Sequence, residues 1–238
     1  METLELTPRG GPGSSILEMG CYLQMTPALR RFLGYEDLRG CYYGPAGKSD
    51  WRVVHSEGGE EFGCFVDLFD AEKDLYPYPD ARFDTVLCCE LLEHLYFDPM
   101  HMMAEINRIL KPDGHLVLST PNITSLRALD AALHGHHPGF YHVYVKPDEH
   151  GEIPPRHNRE YSPHDMQILF RSAGLEVVKL HTGWYAPPSN EEKARNEKME
   201  SLLRAQGYPA VLRGDVLYAI GRKIGQVRAR WPRELYDA

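Results

Sequence analysis

The sequence predicts an α/β protein: one doubly wound, mostly parallel sheet with helices on both faces. Three observations predict it. Short apolar runs alternate with helix-patterned segments from Ser15 to Gly174, the order that builds a parallel sheet covered on both sides. Phe83 to Cys89 (FDTVLCC) is almost continuously apolar, as a strand buried on both faces requires. Helix starts and stops are marked by Pro at first positions and Gly just past the ends.

The elements follow in order. Ser15 to Met19 reads as the first strand and runs into Gly20. Thr26 to Leu33 reads as a helix, with Thr26 as N-cap, Pro27 at the first position and Gly34 as its stop. Leu38 to Tyr43 is the second strand. Trp51 to Val66 alternates apolar and polar residues around Gly58-Gly59, the pattern of a hairpin or of two extended pieces. The loop Tyr76 to Asp80 (YPYPD) leads into the Phe83 strand. Glu90 to Leu95 opens a helical stretch. Asp98 to Leu110 is an amphipathic helix capped by Asp98, with Met103, Ile106 and Leu110 on one face. Lys111-Pro112-Asp113-Gly114 ends it, and His115 to Ser119 is the next strand. Asn122 or Thr124 starts a helix that reaches about His134. Ser162-Pro163-His164-Asp165 starts another, stopped by Gly174. Leu175 to Leu180 is a strand, Glu191 to Ala205 a polar helix, and Asp215 to Gly221 a last, antiparallel strand.

These elements divide the chain into a flexible lead-in, residues 1–14, and a single domain, residues 15–238. Within the domain, 135–161 reads as a lid and substrate loop, because a stretch this long without its own structure is usually functional. The stretch His134 to His150, with His134, His136, His137, Tyr141, His142, Tyr144 and His150, reads as a cover with solvated histidines. Residues 187–238 form a C-terminal extension.

Composition bounds the function. The chain has 238 residues, 42% hydrophobic, and a formal net charge of −8. No apolar run is long enough for a membrane span, and the start lacks a secretory pattern. An acidic surface disfavours nucleic acid, whose affinity comes from neutralised phosphates. The cluster Arg222, Lys223, Arg228, Arg230 and Arg233 reads as a solvated basic face. Five cysteines, an odd number at no zinc spacing, point to a reducing, cytoplasmic setting.

Ligands of such sheets lie beyond the C-terminal strand ends, so the residues after each strand carry the chemistry. Glu18, Gly20 and Cys21 follow the first strand, where a glycine lets backbone approach a ligand closely. Tyr42 ends the second strand. Asp70 and Ala71 precede the YPYPD loop. Cys89 and Glu90 follow the Phe83 strand. On a helix Glu90 shares a face with Glu93 and His94. Two carboxylates and an imidazole so placed can hold a divalent cation. Without one, His94 or His157 could serve as general base, because imidazole titrates near neutral pH.

The ordered set Glu18-Met19-Gly20-Cys21, Asp70-Ala71-Glu72, Phe83-Asp84, Glu93-His94, Leu110-Lys111-Pro112-Asp113-Gly114 and Thr120-Pro121-Asn122 resembles the class I S-adenosylmethionine-dependent methyltransferases, with their Rossmann-like fold. It is most similar to those of bacterial sugar and polysaccharide clusters, which share stretches like Arg156-His157-Asn158-Arg159-Glu160-Tyr161 and Arg213-Gly214-Asp215. The resemblance implies that Glu18, Gly20, Cys21, Tyr42, Asp70, Ala71, Cys89 and Glu90 bind S-adenosylmethionine. His94 and His157 remain the expected catalytic residues on the acid–base ground given above. Glu90, Glu93, His94 and His157 match a Mg2+ or Mn2+ site found in small-RNA 2′-O-methyltransferases and some ubiquinone-pathway O-methyltransferases. The expected acceptor is a hydroxyl or amine of a small molecule, such as a sugar, and a homodimer is a further expectation. The chain departs from the family twice. Tyr22 and Gln24 stand where two loop glycines are usual, and Cys41-Tyr42-Tyr43 lacks the acid that usually holds the ribose. Those departures support the alternative, a non-catalytic binding protein on the same fold. A nucleotide-dependent oxidoreductase is disfavoured, because no G-x-G-x-x-G follows the first strand.

Overall fold

A computed structural model describes residues 2–56, 58–141, 144–151 and 156–237. His142 lies outside them. Its elements are α1 (Glu2–Leu6), β1 (Ser15–Met19), α2 (Thr26–Leu33), β2 (Asp37–Tyr42), β3 (Lys48–His55), β4 (Glu61–Leu68) and β5 (Phe83–Cys89). They continue with a 3-10 turn (Leu92–His94), α3 (Pro99–Ile109), β6 (Leu110–Pro121), α4 (Leu126–Leu133), α5 (Pro163–Ser172), β7 (Leu175–Gly183), α6 (Asn190–Ala205), β8 (Val216–Lys223) and α7 (Arg233–Tyr236).

The eight strands form one sheet in the order β3-β4-β2-β1-β5-β6-β8-β7. β2, β4, β1, β5 and β6 run parallel, and β3 and β8 run against them. The mixed, doubly wound sheet with a late antiparallel strand is therefore the fold that the pattern predicts. β3 and β4 are the expected hairpin.

Strand alternation sorts the core onto two faces. Leu17, Val86, Cys88, Leu116 and Leu118 point to the face covered by α3 and α5. Ile16, Leu38, Leu87 and Val117 point to the face covered by α2 through Leu29 and Leu33. α3 is buried nearly all round, with Met100, Met102, Met103, Ile106 and Ile109 inaccessible. Its start is strapped by the C-terminal tail. Asp98 caps the His101 N–H at 3.1 Å, and it also accepts from Arg230 Nη1 at 2.9 Å and from the Tyr236 hydroxyl at 2.6 Å.

Several local expectations are corrected. The lead-in contains α1, whose Leu6 is buried. The N-cap of α2 is Met25, without a side-chain bond; Thr26 instead gives its hydroxyl to Glu18. Ser125 caps α4, while Asn122 uses its amide to fix the Leu212 and Gly214 carbonyls at 3.1 and 2.8 Å. The largest difference follows β5. Glu90 has φ +50°, so no helix runs through it, and only the single turn Leu92–His94 forms. No helix among the described residues is long and apolar enough to cross a membrane.

Candidate active site

The C-terminal ends of β1, β2, β4 and β5 frame a divided cleft. One cavity of about 600 Å3 is lined by Gly20, Tyr42, Phe69, Asp70, Ala71 and Tyr96, among others. A second, of about 450 Å3, touches Glu18, Gly20, Tyr22, Tyr42, Cys89 and Glu90. A third, of about 400 Å3, holds Glu90, Glu93, His94, Tyr141, His157 and Tyr185. His94 borders all three.

Glycine after β1 has a steric reason. Gly20 has φ +65°, and a Cβ there would lie 3.2 Å from the Leu91 side chain. A side chain would be strained and would crowd the cleft. Glu18 is buried, accepts from Thr26 Oγ1 at 2.6 Å, and has its carboxyl pushed up to about 8 by burial. The Cys21 side chain turns away from the three cavities. It sits with Leu23, Cys64 and Val66 in a separate small core, with its sulfur 3.4 Å from Thr26 Oγ1. Burial pushes the Cys89 thiol up to about 12, so it stays protonated.

The far end of the cleft is aromatic. Asp70 makes an Asx turn, accepting the Glu72 N–H at 2.9 Å, with Lys73 at 3.3 Å. Glu72 then accepts three successive backbone N–H groups, those of Tyr96, Phe97 and Asp98, at 2.9, 2.6 and 2.9 Å. That grip holds the exposed rings of Tyr96 and Phe97 at the cavity wall.

The third cavity gathers the reactive groups. Glu93 is inaccessible to solvent. Its Oε2 accepts from Thr120 Oγ1 at 2.9 Å, and its Oε1 has no hydrogen-bond partner. Oε1 lies 3.9 Å from His94 Nε2 and 4.0 Å from His157 Nε2. Burial, then the charge of Glu90, push the Glu93 carboxyl up to about 8. Each imidazole has its other nitrogen engaged. His94 Nδ1 is 3.0 Å from the Arg156 carbonyl, and His157 Nδ1 is 3.3 Å from Glu160 Oε1. With Nδ1–H donated in both, the Nε2 of each ring is turned toward Glu93. Burial lowers the His94 pKa and favours its neutral form. Burial alone would raise Glu160, but bonds from His157 and from the Phe140 and Tyr141 N–H groups hold it below its ordinary value.

His157 is carried in by a docked arm. Asn158 and Arg159 donate their N–H groups to the Glu93 carbonyl at 2.8 and 3.3 Å. The Asn158 side chain donates to the His94 carbonyl at 2.7 Å. Three of the four expected metal ligands thus come together: one atom each of Glu93, His94 and His157 lies within 4.8 Å of the others. Glu90 is not among them. Its left-handed backbone turns its carboxylate to Ser119 Oγ and the Tyr185 hydroxyl, both at 2.7 Å. Tyr185 and Glu160 were not expected. Tyr185 stands two residues after β7 and could have been found by extending the strand-end rule to the last strands. Glu160 lies in the Arg156-to-Tyr161 stretch that carries the resemblance, three residues after His157, but its residue type alone gives it no role.

Comparison with known proteins agrees with this architecture. A methyltransferase-domain family matches residues 2–180. A probable S-adenosylmethionine-dependent methyltransferase of Mycobacterium tuberculosis is 25% identical over 179 residues, 73% of this chain and 58% of that protein. A ubiquinone biosynthesis O-methyltransferase of Xanthomonas euvesicatoria is 29% identical over 139 residues, 56% of this chain and 52% of that protein. The chain thus spans little more than half the length of either relative. Among solved structures, an S-adenosylmethionine-dependent methyltransferase of Mesorhizobium loti superposes with TM-score 0.54 at 16% identity, over 93% of this chain and 95% of that one. One from Methanosarcina mazei gives TM-score 0.56 at 14% identity, over 91% and 95%. With an ordered match over most of its length, and a cleft at the strand ends where the fold places its ligand, the chain belongs to the methyltransferase-domain family.

Proposed function

We propose that the protein transfers a methyl group from S-adenosylmethionine to a hydroxyl of a small molecule such as a sugar. The observation that carries this is the Glu93–His94–His157 cluster at the end of the cofactor-sized cleft, with His94 bordering both. The cleft suits the cofactor: Gly20 admits close backbone approach, Asp70 and Ala71 offer polar partners, and Phe69, Tyr96 and Phe97 offer ring faces. S-adenosylmethionine supplies an electrophilic methyl carbon already activated by its sulfonium. The protein's main task is alignment of donor and acceptor. His94 and His157 are each held by an oxygen on Nδ1 and keep Nε2 free to take the acceptor's proton. The Tyr141 ring, 4.6 Å from that of His157, helps close the acceptor cavity.

The same donor set fits a divalent cation, because the unpartnered Glu93 Oε1 and two bare imidazole nitrogens converge. The Nδ1 bonds to Arg156 and Glu160 are the outer-shell partners that metal-binding histidines use. Glu93, His94 and His157 would hold Mg2+ or Mn2+, the two imidazoles favouring Mn2+. Such an ion lowers the pKa of a bound hydroxyl. An amine acceptor must first lose its ammonium proton, which the Nε2 of His94 or His157 can take.

Calorimetric titration with S-adenosylmethionine, with and without Mn2+, tests the reading. Binding in the cleft is expected in both conditions. Absence of binding in both leaves the alternative, a binding protein on a methyltransferase fold.

A further inference from the structure

Ribose in doubly wound folds sits at the end of the second strand, where a carboxylate usually takes its hydroxyls. Here residues 40–44 are Gly-Cys-Tyr-Tyr-Gly. The carboxylate is missing, but the position is not empty of polar atoms. The Tyr42 hydroxyl, at the end of β2, lies 2.6 Å from the Tyr22 hydroxyl of the loop after β1. The rings meet edge to face at 5.0 Å, and the Arg52 guanidinium lies 5.5 Å from the Tyr42 ring centre. Tyr42 lines both the aromatic cavity and the Gly20–Cys89 cavity, and Tyr22 lines the second. Tyr42 is thus shared by the two cavities, and the pair stands where they meet.

We infer that the Tyr22–Tyr42 hydroxyl pair recognises the ribose hydroxyls of the cofactor, in place of a carboxylate. The inference rests on the methyltransferase reading above. A carboxylate can only accept, whereas each phenol both donates and accepts. Once one hydroxyl has donated to the other, the pair keeps one free proton and lone pairs on both oxygens. It can meet two vicinal hydroxyls, one as donor and one as acceptor. Burial, then Tyr22, push the Tyr42 phenol up to about 12, so Tyr42 keeps its proton at neutral pH. The two departures from the usual loop, Tyr22 for a glycine and Tyr42 for an acid, are then one device, since each residue supplies half of the pair.

Calorimetric binding of S-adenosylhomocysteine and of its 2′-deoxy and 3′-deoxy analogues tests this. Wild type is expected to prefer the full ribose by about threefold to tenfold over at least one deoxy analogue, the range of one neutral hydrogen bond. Tyr42→Phe and Tyr22→Phe keep the rings and should erase that preference by weakening the ribose form alone. Equal weakening of all three ligands, or an unchanged preference in both variants, overturns the inference and leaves the methyltransferase reading intact. Failure of wild type to bind S-adenosylhomocysteine at all overturns both.

Discussion

Tyr185 donates its hydroxyl to Glu90 Oε2 at 2.7 Å, joining the loop after β7 to the residue that follows β5. Glu90 lines both the Gly20–Cys89 cavity and the Glu93 cavity, and Tyr185 meets it from the second. The Tyr185 ring also meets Phe140 at 4.7 Å. Tyr185→Phe keeps that packing and removes one donor from Glu90. The KM of a methylated hydroxyl acceptor should rise about threefold to tenfold, with the Kd for S-adenosylmethionine unchanged. An equal loss in both constants would place Tyr185 in the cofactor site instead.

The cation reading predicts one tight Mn2+ site per chain, detectable by the loss of the free-ion paramagnetic resonance signal. His157→Ala removes one of three ligands and should weaken binding at least about tenfold, while Glu90→Gln should change it little. If wild type leaves the free Mn2+ signal intact, His94 and His157 remain as bases without a metal.

Glu72 holds three backbone N–H groups with one carboxylate. Glu72→Ala frees them together and loosens the segment that carries Tyr96 and Phe97. Bonds to a charged acceptor contribute about 1.5–3 kcal/mol each when lost, and water offsets part of this at an exposed loop. Faster amide exchange at residues 96–98 and weaker S-adenosylmethionine binding are expected. Unaltered exchange there would show that the segment is held by its rings alone.

Glu18 makes stability depend on pH. Its folded pKa of about 8 lies above the ordinary 4.5, so the folded chain binds the proton more tightly than the unfolded one. The stabilisation is full below about pH 4.5 and is lost as pH rises through 8, by at most about 1.4 kcal/mol per pH unit. Denaturant titrations between pH 5 and 9 should show that decline in wild type and a flatter curve in Glu18→Gln. Parallel curves would mean that Thr26 and solvent keep the carboxylate charged.

Much of the sheet is legible in local pattern, because burial on one or both faces writes a period into the residues. Phe83–Cys89 and the β3–β4 hairpin are read this way. The start of α5 is equally local, since Ser162 and Asp165 satisfy each other within four residues. The site is less legible. Helical spacing puts Glu90 beside Glu93 and His94, but its φ of +50° is a choice made by tertiary bonds to Ser119 and Tyr185. Thr26 reads as a cap and serves Glu18 instead, because a buried carboxylate needs a donor more than an exposed helix end does. Cys21 follows the cofactor loop in sequence, yet its side chain fills a core gap against Gly40, where a Cβ would come within 2.6 Å of its sulfur.

The docking of residues 156–159 on the turn at Glu93 and His94 makes assembly and enclosure a single event. The Asn158 side chain reaches the His94 carbonyl from 64 residues away, so His157 is no nearer to Glu93 in an undocked chain than chance allows. With the arm released, Glu93 keeps only His94, the His94 Nδ1 loses the Arg156 carbonyl, and its tautomer is no longer set. The meeting of two imidazoles at Glu93 Oε1 is therefore conferred by distant backbone contacts at residues 158 and 159, and not by the sequence of the turn itself.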